Sequence, residues 1–273
     1  MGKTITICFT NNKGGSGKTT TCSNLGAAMA QAGKKVLLID GDMQLNLSLS
    51  FFDEERVLEM AECEENLYYA IKNKRDLSGY IVHTPYENLD LIPSSTLMSQ
   101  IEYELFTMIQ REYVLKKCLR SIYEKELYDY VLIDAPPTLG TWVINILCAA
   151  DYVIVPVEAS PWGLFGLANM FDFLNGISEM TEAKIMGVLI TKVDERKNYY
   201  KQTREILAGY DNINVFETFI HVDTSVEWAQ DNSVPVSVYE KSTRSAKEFQ
   251  QLAREVMDLS LIHISEPTRP RLI

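Results

Sequence analysis

Residues 13 to 20 of the chain read Lys-Gly-Gly-Ser-Gly-Lys-Thr-Thr, a glycine-rich stretch that ends in a lysine and two hydroxyl residues. A run with high β-propensity, Thr4 to Thr10, comes before it. A helical pattern from Thr19 to Ala32 follows it and stops at Gly33, a residue common just beyond helix C-termini. A glycine-rich turn between a strand and a helix is the setting that a phosphate-binding loop requires. The stretch therefore predicts such a loop near the start of an α/β fold.

The chemistry of phosphate binding explains the spacing of this loop. Glycines let backbone N–H groups converge on phosphate oxygens without obstruction by Cβ atoms, and the helix start adds a partial positive charge. Lys18 can reach the β- and γ-phosphates of a nucleotide, and the hydroxyl of Thr19 can bind Mg²⁺. The predicted nucleotide-binding residues of the loop are Lys13, Gly14, Gly15, Ser16, Gly17, Lys18, Thr19 and Thr20.

The rest of the chain alternates between strand-like and helix-like segments. Further apolar runs typical of buried strands are Val36–Ile39, Tyr130–Ile133, Tyr152–Val157 and Ile185–Thr191. The helical patterns between and after them are Ser99–Lys125, Gly163–Glu179, Asn198–Ala208 and Thr243–Leu259. This alternation implies parallel pairing with right-handed crossovers. We predict one α/β domain over residues 1–259, with a doubly wound, mostly parallel sheet and helices on both faces.

Composition excludes several other classes of protein. The 273 residues are 46% apolar and 23% charged, which is typical of globular domains and not of disordered or disulfide-scaffold chains. No apolar run reaches the roughly 18 residues of a membrane span, and the first residues lack a signal-peptide pattern, so we expect a cytoplasmic protein. The net charge of −11 disfavours a surface that is basic all over, although a local basic patch remains compatible with it.

Two segments are predicted to be peripheral. Residues 53–65 are rich in Asp and Glu, which favours a solvated helical face near the sheet edge. Residues 260–273 follow a helix that looks complete at Leu259, and they resemble translated adaptor sequence more than a natural terminus. We therefore expect them to be a non-native or disordered tail.

The phosphate loop departs from the general pattern in one respect. Asn12 stands where the pattern has its first glycine, and the additional Lys13 follows it. This deviant form resembles the loop of the ParA/MinD family of P-loop ATPases, and the resemblance extends over about residues 3–258. It implies ATP and Mg²⁺ as cofactors, and it implies a catalytic role for Lys13, which would reach across a nucleotide-sandwich homodimer to the partner's ATP.

Carboxylates at the ends of predicted strands supply the rest of the candidate site. Asp134 ends an apolar strand, as does the Mg²⁺-side carboxylate of P-loop ATPases. By resemblance, Asp42 orients the attacking water, Asp40 lies near Mg²⁺, and Pro235 contacts adenine through its backbone. Helix N-capping is the alternative role for Asp40 and Asp42. The predicted catalytic residues are Lys13, Lys18 and Asp42, and the predicted metal residues are Thr19, Asp40 and Asp134.

The resemblance leaves three candidate functions for the chain. A short, Soj-like ParA partition ATPase would bind DNA non-specifically as an ATP dimer, associate with the nucleoid, and release DNA after stimulation by a ParB-like centromere-binding protein. A MinD-like or cargo-positioning ATPase would act at a membrane or protein scaffold. However, the last predicted helix lacks the basic amphipathic pattern for membrane binding, so we expect no membrane partner. An electron carrier would need cluster-ligating cysteines on loops, which Cys118 and Cys148 do not provide.

Basic residues late in the chain are the candidate DNA contacts. Ordinary solvated charge is the alternative reading of these residues, and His221 to Thr224 stand where many ParA proteins carry arginine. The candidates are Arg196, Lys197, Lys201, Arg204, Lys241, Arg244 and Lys247.

Overall fold

A single seven-stranded sheet organises the chain. The computed structural model describes residues 3–160, 163–209 and 213–265. The strand order is β3-β4-β2-β5-β1-β6-β7, and all pairings are parallel except the antiparallel pairing of β3 with β4. The predicted α/β class with a mostly parallel sheet is therefore confirmed. The strands are β1 (Ile5–Phe9), β2 (Val36–Asp40), β3 (Val82–His83), β4 (Leu89–Ile92), β5 (Tyr130–Asp134), β6 (Tyr152–Glu158) and β7 (Lys184–Thr191).

Helices flank the sheet along the whole chain. The α-helices are α1 (Lys18–Gln31), α2 (Asn46–Leu49), α3 (Glu54–Glu62), α4 (Leu67–Lys72), α5 (Ile101–Phe106), α6 (Val114–Cys118), α7 (Arg120–Glu124), α8 (Thr141–Ala149), α9 (Gly163–Gly176), α10 (Tyr199–Ala208), α11 (Thr224–Asp231), α12 (Val236–Tyr239) and α13 (Arg244–Ser265). Short 3₁₀ turns occupy Leu77–Tyr80, Thr96–Gln100 and Arg111–Tyr113. In the described part of the chain, no helix is both long and apolar enough to cross a membrane.

The apolar residues of the strands belong to two hydrophobic cores, one on each face of the sheet. Successive side chains of a strand point to opposite faces. Leu38 accordingly joins the core that includes residues of α1 and α13, whereas Leu37 and Ile39 join the core that includes residues of α4, α6 and α8. All three side chains are fully buried. Burial on both faces explains why these strands are continuous apolar runs and not alternating ones.

The sheet register brings the site carboxylates to one edge. Asp134 is paired with Asp40 on one side and with Phe9, just before the phosphate loop, on the other. Because the three strands are parallel, their carboxyl ends meet at the same edge, which is where ligands bind in open α/β sheets.

Several predicted elements differ from those observed. The single helix predicted over Ser99–Lys125 is divided into short pieces, and Gln110 between them adopts a left-handed backbone conformation with φ of 54°, which an α-helix cannot contain. Elements that were not predicted from the sequence are the short strands β3 and β4 and the helices α2, α4, α8, α11 and α12. In the acidic segment, the predicted helix is present as α3. Its Val57, Met60 and Ala61 are buried, so only part of its surface is solvated.

The last helix is longer than predicted. It continues past Leu259 to Ser265. Ser260 is fully buried, and its hydroxyl lies 2.9 Å from that of Tyr130, which begins β5. The domain boundary at residue 259 therefore cuts through a packed helix. Residues 266–273, which hold most of the predicted tail, lie outside the described residues.

Candidate active site

The phosphate loop has the backbone geometry that its glycines allow. Gly15 and Gly17 have φ values of 72° and 90°, a left-handed conformation that is unfavourable for residues with a Cβ atom. Gly17 is the N-cap residue of α1, which begins at Lys18. The unpaired N–H groups of the first helical turn are therefore next to the glycine loop, and together they form an anion-binding arrangement.

A cleft of about 560 Å³ lies over this loop. It is large enough for a bound small molecule such as a nucleotide. Asp42, from the segment after β2, and Pro137, from the segment after β5, form part of its wall. The lining residues are Gly14, Gly15, Ser16, Gly17, Lys18, Thr19, Thr20, Asp42, Gln44, Asn46, Leu49, Ser50, Pro137, Lys192, Gln230 and Asp231.

A second cavity of about 290 Å³ shares several of these residues and extends the cleft toward the carboxyl end of β7.

Pro235 is not among the lining residues of either cavity. It is buried, and its carbonyl accepts hydrogen bonds from Val238 and Tyr239 within α12. The predicted backbone contact between Pro235 and adenine stays a prediction. The cleft is also lined by Gln230 and Asp231 of α11, which were not predicted from the sequence. The sequence of α11 contains no recognisable nucleotide-binding motif.

Lys18 and Asp134 are brought together beneath the cleft. Lys18 is only 6% exposed, and burial lowers its pKa, while Asp134 and Asp42 act in the opposite direction. Asp134 is fully buried at the end of β5, and burial raises its pKa to about 8. Thr19 Oγ1 donates a hydrogen bond of 2.6 Å to Asp134 Oδ2. The loop lysine, the loop hydroxyl and the strand carboxylate are therefore next to one another.

The pair Thr19 and Asp134 fits a magnesium ion. Asp134 Oδ1 is buried without a hydrogen-bond partner, so an oxygen ligand remains unused beside the phosphate loop. Among the described residues, no group of three or more His, Cys, Asp or Glu side chains is arranged to hold a metal. Magnesium commonly binds through one or two protein oxygens, water and the phosphates of the nucleotide. The arrangement is therefore suited to Mg²⁺ that arrives with a nucleotide.

The two carboxylates after β2 have different surroundings. Asp40 is fully buried, and its Oδ2 accepts hydrogen bonds from the backbone N–H (2.9 Å) and the hydroxyl (2.7 Å) of Ser48. Its Oδ1 accepts a longer bond of 3.3 Å from the Asp42 N–H. Asp40 thus holds both α2, through Ser48, and the loop before it, through Asp42. Its predicted place near Mg²⁺ stays a prediction. Asp42 lines the cleft, and among the described contacts its side chain accepts only the N–H of Gln44, at 3.1 Å.

The buried carboxyl groups predict an unusual pH dependence of stability. Burial raises the pKa of Asp40 to about 6 and that of Asp134 to about 8. A carboxyl group with a raised pKa binds more protons in the folded state, so the free energy of unfolding should fall as pH rises from about 5 to 8. Denaturant titrations of nucleotide-free protein across this range would measure it. The Asp134→Asn variant should show a flatter profile between pH 6.5 and 8, and a parent profile that rises with pH would contradict the assignment.

Lys13 occupies a cis ion pair. Its Nζ lies 2.9 Å from Glu158 Oε2, at the end of β6, and 3.4 Å from Ser160 Oγ. This contact also holds the pKa of Glu158 below its usual range. Both side chains are about 30% exposed, at 28% and 31%, so the pair is accessible to a partner. The predicted action of Lys13 in trans would require it to leave Glu158.

The candidate DNA contacts are all exposed, but several of them are paired with carboxylates. Arg196 makes a bidentate ion pair with Asp194, and Arg244 pairs with Glu195 and Glu248. The Arg244–Glu195 contact, 2.9 Å long, links the segment after β7 to the start of α13. Exposed residues for which the described part of the chain shows no ion pair are Lys201, Arg204, Lys241 and Lys247.

His221 connects this surface to the second cavity. Its imidazole is buried, lies between Glu248 and Glu195, and also contacts Arg244. It therefore holds two carboxylates beside Arg244, one of the candidate DNA contacts.

Comparison with known proteins identifies relatives over nearly the whole chain. A family model described as an AAA domain matches residues 4–187. The chain is 37% identical over 258 residues to the sporulation initiation inhibitor protein Soj of Bacillus subtilis, and the match covers 94% of this chain and 98% of that protein. It is 34% identical over 259 residues to the chromosome-partitioning ATPase Soj of Treponema pallidum, with the same two coverages, 94% and 98%.

Solved structures share the fold. A putative plasmid partition protein of Borrelia burgdorferi bound to AMPPNP superposes with a TM-score of 0.74 at 24% identity, and it covers 96% of this chain and 100% of its own. A cobyrinic acid a,c-diamide synthase of Mycobacterium smegmatis with bound ATP analog and magnesium has a TM-score of 0.80 at 25% identity, covering 97% and 99%. Because these two proteins have different functions, their likeness to this chain identifies the fold and not the task.

Proposed function

Because this chain belongs to the ParA/Soj family of P-loop partition ATPases, with ATP and Mg²⁺ as cofactors, we propose that it is a DNA-partition ATPase driven by an ATP-dependent homodimer. The observation that carries the catalytic part is that Lys18, Thr19 and Asp42 line one cleft at the carboxyl edge of the sheet, with the buried Asp134 hydrogen bonded to Thr19 beneath it. The dimer, DNA and partner parts of the proposal rest on the family and on the exposed basic surface.

Each residue of the cleft has a distinct task in this proposal. The glycine loop and the start of α1 bind the phosphates, and Lys18 neutralises charge that develops on them. Thr19 and Asp134 would hold Mg²⁺, which supplies further charge neutralisation to the phosphates when bound. Asp42, open to the cleft, orients the attacking water. Phosphoryl transfer to water depends mainly on positioning and charge, so these groups are sufficient for hydrolysis.

The dimer provides the switch. In the proposed cycle, Lys13 exchanges Glu158 for the phosphates bound by the partner protomer, so ATP favours the dimer and hydrolysis releases it. Two copies of the basic surface then act together on DNA, and a ParB-like centromere-binding protein stimulates hydrolysis to release the DNA. ATP-bound protein would accordingly be associated with the nucleoid.

DNA binding is the part of this proposal that most needs a test. Each neutralised phosphate contributes about −0.9 to the slope of log K against log salt for B-DNA, so doubling the contacts in a dimer steepens the slope. We expect binding that requires ATP, ignores sequence and weakens steeply with salt. Fluorescence anisotropy with ATP, ADP and no nucleotide, across a salt series, measures all three properties.

The ion pairs decide which charge-reversal variants can test DNA binding. Arg244 is held between carboxylates, so reversing its charge would also disturb the fold. The double variant Lys241→Glu/Lys247→Glu changes two exposed lysines instead, and it should weaken DNA binding at least tenfold while leaving ATP affinity unchanged. The double variant Lys35→Glu/Lys125→Glu, at two exposed lysines on another part of the surface, is the matched control because it changes the net charge by the same amount. An ATP-bound protein that fails to bind DNA at low salt would overturn the proposal, and co-sedimentation with liposomes would then test the MinD-like alternative.

A further inference from the structure

The carboxyl end of β7 lies directly against the phosphate loop. Thr191 Oγ1 donates a buried hydrogen bond of 2.8 Å to the carbonyl oxygen of Ser16. A Cβ atom at Gly17 would lie 3.4 Å from the Thr191 side chain, so the two segments are in van der Waals contact. The position of the next residue, Lys192, is consequently fixed relative to the loop.

Lys192 is held in a conformation that places its side chain over the loop. Its φ of 53° is in the left-handed region, which is unfavourable for a lysine. The following N–H, of Val193, is hydrogen bonded to Ile220 O at 3.0 Å, which fixes the backbone on that side. The Lys192 amine lies 3.8 Å from where a Cβ atom on Gly15 would be. Lys192 also lines both cavities of the cleft.

Its contacts distinguish Lys192 from the other two lysines of the site, Lys13 and Lys18. Lys13 is paired with Glu158, and Lys18 is buried and contacts the carbonyl of Lys13. Lys192 is exposed, and within the described residues its amine has no hydrogen bond or ion pair. The nearby carboxylate of Glu158 interacts with Lys192 electrostatically, but it is already in direct contact with Lys13. A lysine beside the phosphate loop that has no direct carboxylate partner is suited to an anionic ligand.

We propose that Lys192 binds the polyphosphate of the nucleotide in cis, as a third cation of the site that the phosphate-loop motif does not include. Its amine reaches the phosphates from the end of β7, whereas Lys18 reaches them from α1. The inference depends on ATP as the ligand of the cleft, and it is independent of DNA binding and partition. Its test therefore succeeds or fails separately from the proposed function.

Nucleotide affinity measured by calorimetry, with Mg²⁺ present, tests this role. Lys192→Met should raise the Kd for ATP and for ADP at least tenfold, because it removes one charge-assisted hydrogen bond to phosphate. The Kd for AMP should change less than threefold. Lys192→Arg should restore affinity for ATP to within about threefold of the parent, since the cation is kept. Lys192→Asn provides a second neutral variant whose residue type tolerates a left-handed backbone.

The control is Lys184→Met, at the other end of the same strand, where the side chain is exposed and distant from the cleft. Its affinity for all three nucleotides should match that of the parent, and thermal melting should show all variants folded. Parent-like ATP affinity in both Lys192→Met and Lys192→Asn would overturn the proposal. An equal loss for AMP, ADP and ATP would also overturn it, because a base or ribose contact would then explain the effect.

Discussion

We expect the Lys18→Ala protein to bind ATP at least a hundredfold more weakly than the parent. Lys18 is buried at the start of α1, between the loop and the carboxylates Asp134 and Asp42. Its removal deletes the cation that faces the phosphates, and it also leaves the two carboxylates without this counter-charge. Truncating one partner of a buried, hydrogen-bonded charge pair in a complex, here Lys18 with phosphate, typically costs about 2–5 kcal/mol, and a loss of about 3 kcal/mol corresponds to more than a hundredfold in affinity.

Calorimetric titration with Mg²⁺ and ATP measures this effect. Lys125→Ala, which removes an exposed lysine at the end of α7, should bind ATP as the parent does. Chemical denaturation of Lys18→Ala separates lost binding from lost folding, because the apo protein should remain cooperatively folded. Unchanged ATP affinity in a folded Lys18→Ala protein would refute the assignment of the phosphate loop.

The Asp42→Ala protein should bind ATP normally but hydrolyse it at least a hundredfold more slowly. Asp42 lines the cleft, and its described side-chain contact is with the N–H of Gln44 in the same loop, so its loss should not disturb the phosphate loop. Loss of a group that positions or activates water typically reduces the rate by about 10²–10⁴. With hydrolysis blocked, the ATP-bound homodimer should accumulate.

Sedimentation velocity with ATP distinguishes the expected dimer from a monomer. The Lys13→Ala variant is the informative comparison, because it should bind ATP in cis and yet stay monomeric. Phosphate release by Asp42→Ala at the parent rate would contradict the role of Asp42. An Asp42→Ala protein that stays monomeric in saturating ATP, or a Lys13→Ala protein that forms the dimer, would contradict the role of Lys13 in trans.

The local parts of the candidate site could be predicted because local sequence specifies them. Glycines at 14, 15 and 17 mark a loop that needs backbone close to phosphate, and two of them have the left-handed φ values that only glycine adopts easily. Asp40 and Asp134 follow apolar runs, and parallel pairing necessarily brings the ends of such strands to one edge. Weakly patterned elements such as α11 were missed. They are too short to show a clear helical period, and which of their residues are buried depends on the elements packed against them.

The sequence by itself determined the sheet class, the phosphate loop and the strand-end carboxylates, because each depends on residues close together in the chain or on a regular period. Only the tertiary structure decided which charges are neutralised. Lys13 pairs with Glu158 across 145 positions of sequence, and Arg244 pairs with Glu195 across 49. Lys192 likewise lies over a loop that is more than 170 residues earlier, since the neighbouring bond from Thr191 to Ser16 spans 175 positions. Such contacts follow from how the helices and strand ends pack, and no local pattern encodes them.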